Sequence, residues 1–364
     1  MSRSSNKYLV VGQGLAGSTL LYQLEKKGVE FEVIDNNHER SGSMAAGGIM
    51  HPMSFRRLIA AWRAIEFIDE AIPFYESVQE DLKETFFQTT TFYRPFISIE
   101  EQNNWMARMN EPPFDKILGV SDIKIDGVDS PRGVGTISHS GRLEVQDYLR
   151  ITRAKFIDQV RSEKFDFNQL KKENDNWSYK GQVYQGIIFC EGFQFIYNPY
   201  FNYLPENLTK GEIIEIETEG LEGKTLSRGC FIVPQKGENQ YLVGSTYRWK
   251  TVSQEPTEDA KEELIEKVEK VLNAQYQIYN QAAGIRPTIT DRKPLVGEHP
   301  KHKGLFIFNG MGSKTVMMAP KLARQFVKYL IKNVEIYPEA NIDRFTKKHF
   351  HKFEAYEADQ MSKL

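Results

Sequence analysis

Runs of consecutive apolar residues followed by glycine recur at both ends of this chain, and alternating apolar and polar stretches fill the middle. Near the start, Lys7-Tyr8-Leu9-Val10-Val11 reads as a short strand buried on both faces. Gly12-Gln13-Gly14-Leu15-Ala16-Gly17 follows at once, and residues 18–27 continue with the helical spacing of Leu20, Leu21 and Leu24. Gly28 ends that helix, Phe31-Glu32-Val33-Ile34 is a second strand, and Asp35 stands 18 positions beyond Gly17. Near the other end, Leu305-Phe306-Ile307-Phe308 forms a buried strand running into Gly310-Met311-Gly312-Ser313-Lys314-Thr315. A helix with Leu322, Ala323, Phe326, Val327 and Leu330 on one face follows, and Pro320 fits best in its first turn.

Between these units, residues 58–82 have helical spacing with an interruption expected at Pro73. Residues 89–99, 123–125 and 133–138 alternate like antiparallel strands, and residues 145–163 read as a helix. Residues 183–192 form one apolar run ending in Gly192, the pattern of a central parallel strand. Further strands are expected at 213–216, 230–234 and 240–245. Thr257 is a fitting N-cap, with Glu258 and Asp259 in the first turn and Leu264, Val268, Val271 and Leu272 as the apolar stripe. Two strand–glycine–helix units at opposite ends of the chain require one sheet to join them, so that domain is discontinuous.

The N-terminal unit defines a chemistry. Gly12 permits a tight turn, Gly14 lets a pyrophosphate approach the backbone, and Gly17 lets the helix lie close to the sheet. The N–H groups at the start of the helix, around Leu15 and Ala16, face an anion, and Asp35 can accept from a ribose hydroxyl. A bare glycine motif is weak, but here the strand, the helix and the distal carboxylate are all present. These residues specify a dinucleotide without choosing between NAD and FAD. The small-residue loop Ser41-Gly42-Ser43-Met44-Ala45-Ala46-Gly47-Gly48-Ile49-Met50-His51-Pro52 suggests backbone passing close to something flat or bulky.

Composition narrows the class further. The 364 residues suffice for two domains, and 47 Lys plus Arg against 49 Asp plus Glu leave a net charge of −2. That balance gives no support for a nucleic-acid footprint spread over the surface. Only Cys190 and Cys230 are present, which excludes a disulfide scaffold and a cysteine-rich metal site and suits the cytoplasm. The first strand begins too early for a signal peptide ahead of it, and no apolar run approaches the roughly 18 residues of a membrane span.

Over residues 7–333 the chain resembles the D-amino-acid oxidase superfamily of flavoproteins, most closely its glycine oxidase and sarcosine oxidase branch. Besides the N-terminal fingerprint, Ala45-Ala46-Gly47-Gly48-Ile49 resembles the family's loop beside the flavin ring. Lys210-Gly211-Glu212-Ile213 resembles its turn into the substrate domain. Phe231-Ile232-Val233-Pro234 with Tyr241-Leu242-Val243-Gly244-Ser245-Thr246 resembles its paired strands. Ala283-Gly284-Ile285-Arg286-Pro287, with Asp291, Pro294 and Gly297, resembles another ordered segment, and Gly310-Met311-Gly312 the loop over the flavin pyrimidine end.

The resemblance implies an α/β fold with a Rossmann-like FAD-binding domain and a second, α+β domain on a mostly antiparallel sheet. It divides the chain into 1–55, 135–205 and 285–335 for FAD, 56–134 and 206–284 for substrate, and a C-terminal helical tail at 336–364. It implies oxidation of a C–N bond in a small amine or amino acid by hydride transfer to flavin N5, with oxygen or a quinone as electron acceptor. Arg286 becomes the ligand for a substrate carboxylate, because a planar guanidinium grips two oxygens. Gly192, Gly310, Gly312, Ser313, Lys314 and Thr315 join Gly12, Gly14, Leu15, Ala16, Gly17, Asp35 and Ala45 to Gly48 around FAD. Without a cysteine near Arg286 or Pro287, the FAD is expected to be non-covalent.

Phe231 stands where glycine oxidase has a carboxylate-binding tyrosine, and Ser313 where it has a second arginine, so glycine itself is a doubtful substrate. Tyr247 is the candidate replacement for the missing hydroxyl. His51 either faces the substrate or caps the loop before Pro52. Two other readings stay open. One is oxidation of a carboxymethylamino group on tRNA uridine, as in the oxidoreductase half of the bifunctional wobble-uridine modification enzyme, with the basic run Lys347-Lys348-His349-Phe350-His351-Lys352-Phe353 touching RNA. The other is a non-catalytic FAD-binding module.

Overall fold

The computed structural model describes residues 7–36, 41–54, 58–249 and 252–361, and the chain divides into two compact units. The first comprises residues 1–43, 146–209 and 285–364, and the second residues 44–145 and 210–284.

In the first unit the described residues form a six-stranded sheet. Its order is Val160–Arg161, Phe31–Ile34, Tyr8–Val11, Gly186–Phe189, Leu305–Asn309 and Leu295–Glu298. The first five run parallel and the last is antiparallel. Tyr8–Val11 is buried at every position because strands pair with it on both edges and other elements cover both faces. Helices Leu15–Glu25 and Thr315–Lys332, which follow the two glycine loops, pack against each other. A second core gathers Phe189 and Ile307 with Trp177, Tyr179 and Tyr184 of an antiparallel three-stranded meander spanning residues 170–184. Ile342, Phe345 and Phe353 enter that core, so the described part of the expected tail belongs to this unit. Residues 362–364 lie outside the described residues.

The second unit is built on a nine-stranded sheet among the described residues, antiparallel in its registered pairings except where Thr225–Arg228 pairs with Phe92–Pro95. Strand alternation splits its side chains between two cores. Tyr241 and Val243 meet Leu264 and Val268 of helix Glu258–Glu269, whereas Leu242 joins Phe92, Phe96 and Trp105.

Several expected elements differ. The helix expected over 58–82 is Ala64–Leu82 and continues through Pro73, and residues 55–57 just ahead of that expectation lie outside the described residues. Helix Thr315–Lys332 likewise begins before its proline, with Pro320 as its sixth residue. In both cases tertiary burial along one face outweighs one missing backbone donor. The strand expected over 89–99 is Phe92–Pro95, followed by helix Ile99–Arg108, whose N-cap Ser98 accepts from Glu101 N at 3.1 Å. No strand forms at 123–125; Leu118–Ser121 pairs instead. The helix expected to 163 ends at Lys155, because Val160–Arg161 becomes the sheet's edge strand. The apolar run 183–192 is two strands in different sheets, Gln182–Tyr184 and Gly186–Phe189, separated at Gln185.

Candidate functional site

The N-terminal turn is shaped by what its glycines exclude. Gly12 has φ +99°, and a Cβ there would lie 2.6 Å from the Cys190 carbonyl oxygen. A Cβ on Gly17 would lie 2.1 Å from the Gly12 carbonyl oxygen, which fixes how closely helix Leu15–Glu25 meets the strand. Gly14 is that helix's N-cap in extended conformation, with no side chain capping it. Ala16 and Gly17 occupy the first turn, where amides lack intrahelical acceptors. Leu15 N donates instead to Ser43 Oγ at 3.1 Å.

Asp35 holds this turn from the end of the second strand. Its Oδ2 accepts from Gln13 N at 2.8 Å, and its Oδ1 accepts from Arg153 Nη1 at 2.9 Å. Arg153 also donates to Gln13 Oε1 at 3.2 Å and to Ser162 Oγ at 2.8 Å. Sequence reasoning missed Arg153, because a basic residue in the last turn of a helix is the ordinary complement to the helix dipole.

The second glycine loop is tied to the same sheet edge. Asn309 ends strand Leu305–Asn309; its Nδ2 donates to Gly192 O at 2.8 Å and its Oδ1 accepts from Gly310 N at 2.8 Å. Gly192 and Gly310 both have positive φ, at +57° and +76°. Gly312–Lys314 is a single 3₁₀ turn leading into Thr315–Lys332, and Thr315 Oγ1 donates to Gly312 O at 3.0 Å. Ser313 is exposed and Lys314 half-buried, and burial lowers the Lys314 amine to about 8. A Cβ on Gly312 would sit 3.2 Å from Thr288 Oγ1.

Arg286 ends the strand Tyr276–Arg286 and is half-buried, with its carbonyl accepting from Thr288 N at 2.8 Å. Its neighbour Ile285 lies against Gly42, where a Cβ would be 2.5 Å from the Ile285 carbonyl oxygen. Residues 42–43 therefore connect the glycine turn at Leu15 to the strand end carrying Arg286. No motif marked Ser43 or Gly42 for this; only their small size hinted at it.

Ala45, Ala46, Gly47, Gly48, His51 and Tyr247 belong to the second unit, although the sequence boundary at 55 assigns the first five to the FAD domain. The Phe231 ring packs against this loop at Gly47. A Cβ on Gly47 would lie 2.9 Å from Phe231 Cζ, and one on Gly48 would lie 1.8 Å from the Leu143 carbonyl oxygen. His51 Nδ1 accepts from Met53 N at 3.4 Å across Pro52, and its ring lies 5.8 Å from that of Phe92. Tyr247 is 48% exposed, its ring 6.5 Å from that of Trp249. Cys190 and Cys230 are unpaired and buried. Among the described residues there is no cluster able to hold a metal ion, and no helix is long and apolar enough to cross a membrane.

A parallel sheet whose first turn admits no side chain, with an adjoining helix start and a carboxylate-held loop, defines a dinucleotide-binding protein. The family described as DAO, FAD dependent oxidoreductase, matches residues 7–329, and the chain belongs to it. FAD is accordingly the cofactor, and the cradle of Gly12, Gly14 and Gly17 fits its diphosphate. Over 94 residues the chain is 30% identical to a glycine oxidase of Geobacillus kaustophilus, a match spanning 25% of each protein. The chain thus aligns with only about a quarter of that relative's length. In fold it is similar to the crystal structure of glycine oxidase from Geobacillus kaustophilus, with a TM-score of 0.76 at 17% identity over 91% of this chain and 96% of that one. It is also similar to iminodiacetate oxidase from Chelativorans sp. BNC1, with a TM-score of 0.72 at 16% identity over 89% and 95% of the two chains.

Proposed function

We propose that this protein oxidises the C–N bond of a small amine or amino acid bearing a carboxylate. The observation that carries the reading lies within the first unit. Leu15 N donates to Ser43 Oγ at 3.1 Å and Gly42 abuts the Ile285 carbonyl, so the cofactor turn and the strand end bearing Arg286 share one support. When bound, FAD would supply the two-electron acceptor that oxidation of the C–N bond needs.

The chain's own residues bind and orient. Arg286 grips the substrate carboxylate through two parallel N–H donors, fixing the carbon that loses hydride. In the second unit, Tyr247, 48% exposed, is the candidate to supply the hydroxyl that Phe231 lacks. His51 lines the substrate side, its Nδ1 already accepting from Met53 N. The amides at the start of the turn Gly312–Lys314 and the Lys314 amine are the donors that would support negative charge on the ring when FAD is bound. Gly12 to Gly17 and Asp35 would hold the diphosphate and ribose, Gly192 leaves open space at the strand end, and Gly310 lets the late loop lie against Leu295.

The enzymes similar in fold oxidise glycine and iminodiacetate by name, both small carboxylated amines. Reoxidation is assigned to oxygen or a quinone, and the two buried thiols suit a reducing cytoplasm. The test is an anaerobic screen of amino acids, N-methyl amino acids and imino diacids for bleaching of the bound flavin. Bleaching by at least one of them is expected; reduction by none would remove the assignment.

A further inference from the structure

Glu191 stands at the open end of the central strand, where the dinucleotide must pass, and the glycine fingerprint does not account for it. The turn Cys190-Glu191-Gly192 leaves strand Gly186–Phe189, which lies between Tyr8–Val11 and Leu305–Asn309. A Cβ on Gly12 would fall 3.4 Å from the Glu191 Cα, so this acidic residue borders the turn that approaches the diphosphate. Around Gly192 a Cβ would meet nothing within 4 Å, which leaves room there for a group that is not protein.

The carboxyl is half-buried, and its Oε2 accepts from Asn198 Nδ2 at 2.8 Å. Asn198 is buried and its Oδ1 accepts from Tyr200 N at 3.0 Å, so the amide can present only its donor to Glu191. Among the described residues no cationic side chain pairs with Glu191. Arg153, the arginine of the glycine turn, spends its guanidinium on Asp35, Gln13 and Ser162. Around Glu191 the described residues contribute the neutral amides of Asn309 and Asn198 and a titratable neighbour, the Cys190 thiol, which burial and then Glu191 push up. Burial likewise raises the Glu191 carboxyl to about 7, with the Asn198 hydrogen bond opposing the shift.

We propose that Glu191 enters the cofactor site as a neutral carboxylic acid and donates its O–H to an oxygen of the FAD diphosphate or ribose, making cofactor retention proton-linked. A carboxylate beside a diphosphate, with no cation between them, would repel it, whereas the protonated acid adds a donor to the cradle. Binding FAD therefore raises the proton affinity of Glu191, and by reciprocity protonation raises the affinity for FAD. The sign follows directly. Below about pH 7 the acid is protonated in free and bound protein alike, and affinity is flat. Above it the free protein loses its proton first, and Kd rises up to about tenfold per pH unit until the bound form also titrates.

The experiment is FAD binding to the full-length apoprotein between pH 6 and 9, repeated with ADP-ribose, which has the same diphosphate diester but no flavin ring. The ADP-ribose series separates Glu191 from Lys314, whose lowered amine titrates in the same range. Wild-type Kd should rise at least tenfold between pH 6.5 and 8.5 for both ligands. Calorimetry of the wild type in two buffers of different ionisation enthalpy should show net proton uptake on binding at pH 8. Glu191→Gln, neutral at every pH, should bind tightly with a flat profile. Flat wild-type binding without proton uptake, or an unchanged slope in Glu191→Gln, would overturn the proposal. Absence of FAD binding at every pH would strike at the cofactor itself, a failure distinguishable from the other two.

Discussion

Arg153 Nη1 donates to Asp35 Oδ1 at 2.9 Å, joining the last turn of helix Val145–Lys155 to the carboxylate that also holds Gln13 N. The pair is mostly buried, at 18% and 13% side-chain exposure, so solvent screens it little. The acid expected to serve the cofactor's ribose is thus also a strut for the turn beneath the diphosphate, and its orientation depends on a residue 118 positions away.

Replacing Arg153 with alanine should leave Asp35 without its charged partner and free the turn. Charge-assisted hydrogen bonds are worth about 1.5–3 kcal/mol, so FAD Kd should rise about 10- to 100-fold. Fluorescence titration of the apoprotein measures it. An unchanged Kd would show that Asp35 and Gln13 position the turn without Arg153.

Arg286→Lys keeps the charge but loses the planar fork. For a carboxylated amine, kcat/KM should fall by about 10- to 100-fold, the loss of roughly 1.5–3 kcal/mol. An amine lacking the carboxylate should be affected much less. Steady-state kinetics on a matched pair of substrates decides it, and equal losses on both would assign Arg286 a structural role.

Gly47→Ala would bring a Cβ to 2.9 Å from Phe231 Cζ. Overpacking of this kind costs about 1–3 kcal/mol, read as a lowered denaturation midpoint in urea. Combining it with Phe231→Leu should recover part of the loss, because the obstacle is that ring. If the double variant is no better than the sum of the single ones, the glycine is required for another reason.

Lys314 carries an amine lowered to about 8 by burial. On the proposed placement beside the cofactor, its proton is present below that value and lost above it, so its support for negative charge on reduced flavin would act mainly below pH 8. Lys314→Met should therefore lower the FAD midpoint potential by about 30–60 mV at pH 6.5, where 30 mV corresponds to about 1.4 kcal/mol for two electrons. The difference should shrink at pH 9. Spectroelectrochemical titration at both pH values measures it, and a pH-independent difference would separate Lys314 from the ring.

Glu212 is a buried carboxylate paired with buried Lys210 at 2.9 Å, and it also accepts from Thr257 N at 2.8 Å and Gln281 Nε2 at 3.0 Å. Glu212→Gln would leave the Lys210 ammonium, which also donates to the Glu255 carbonyl, without its counter-charge and weaken the anchor on Thr257 ahead of helix Glu258–Glu269. A loss of about 3–5 kcal/mol in unfolding free energy is expected by chemical denaturation. A loss below about 1 kcal/mol would mean the lysine finds water or another acceptor.

Local spacing alone made both glycine turns legible, since Gly12, Gly17 and Gly310 each answer a backbone need that neighbouring residues announce. Ser43, Arg153 and Asn309 were not legible, because each acts on a partner far along the chain and carries no local pattern of its own. The two prolines misled for a related reason: Pro73 and Pro320 break an isolated helix, but each stands in a helix held by tertiary packing. Gln185 hid inside one apolar run because hydrophobicity records burial and does not say which of two sheets supplies it.

The order of residues by itself determined the class of cofactor cradle and the discontinuous sheet, because these depend on backbone permissiveness and apolar period, while the α/β architecture followed from the family resemblance of its motifs. Which charges meet was decided only by folding. Arg153 reached Asp35, Glu191 settled beside Gly12 without a cation, and Phe231 took up the space that Gly47 leaves. Electrostatic and packing energies depend on distances through space, and those distances exist only once the sheets have closed.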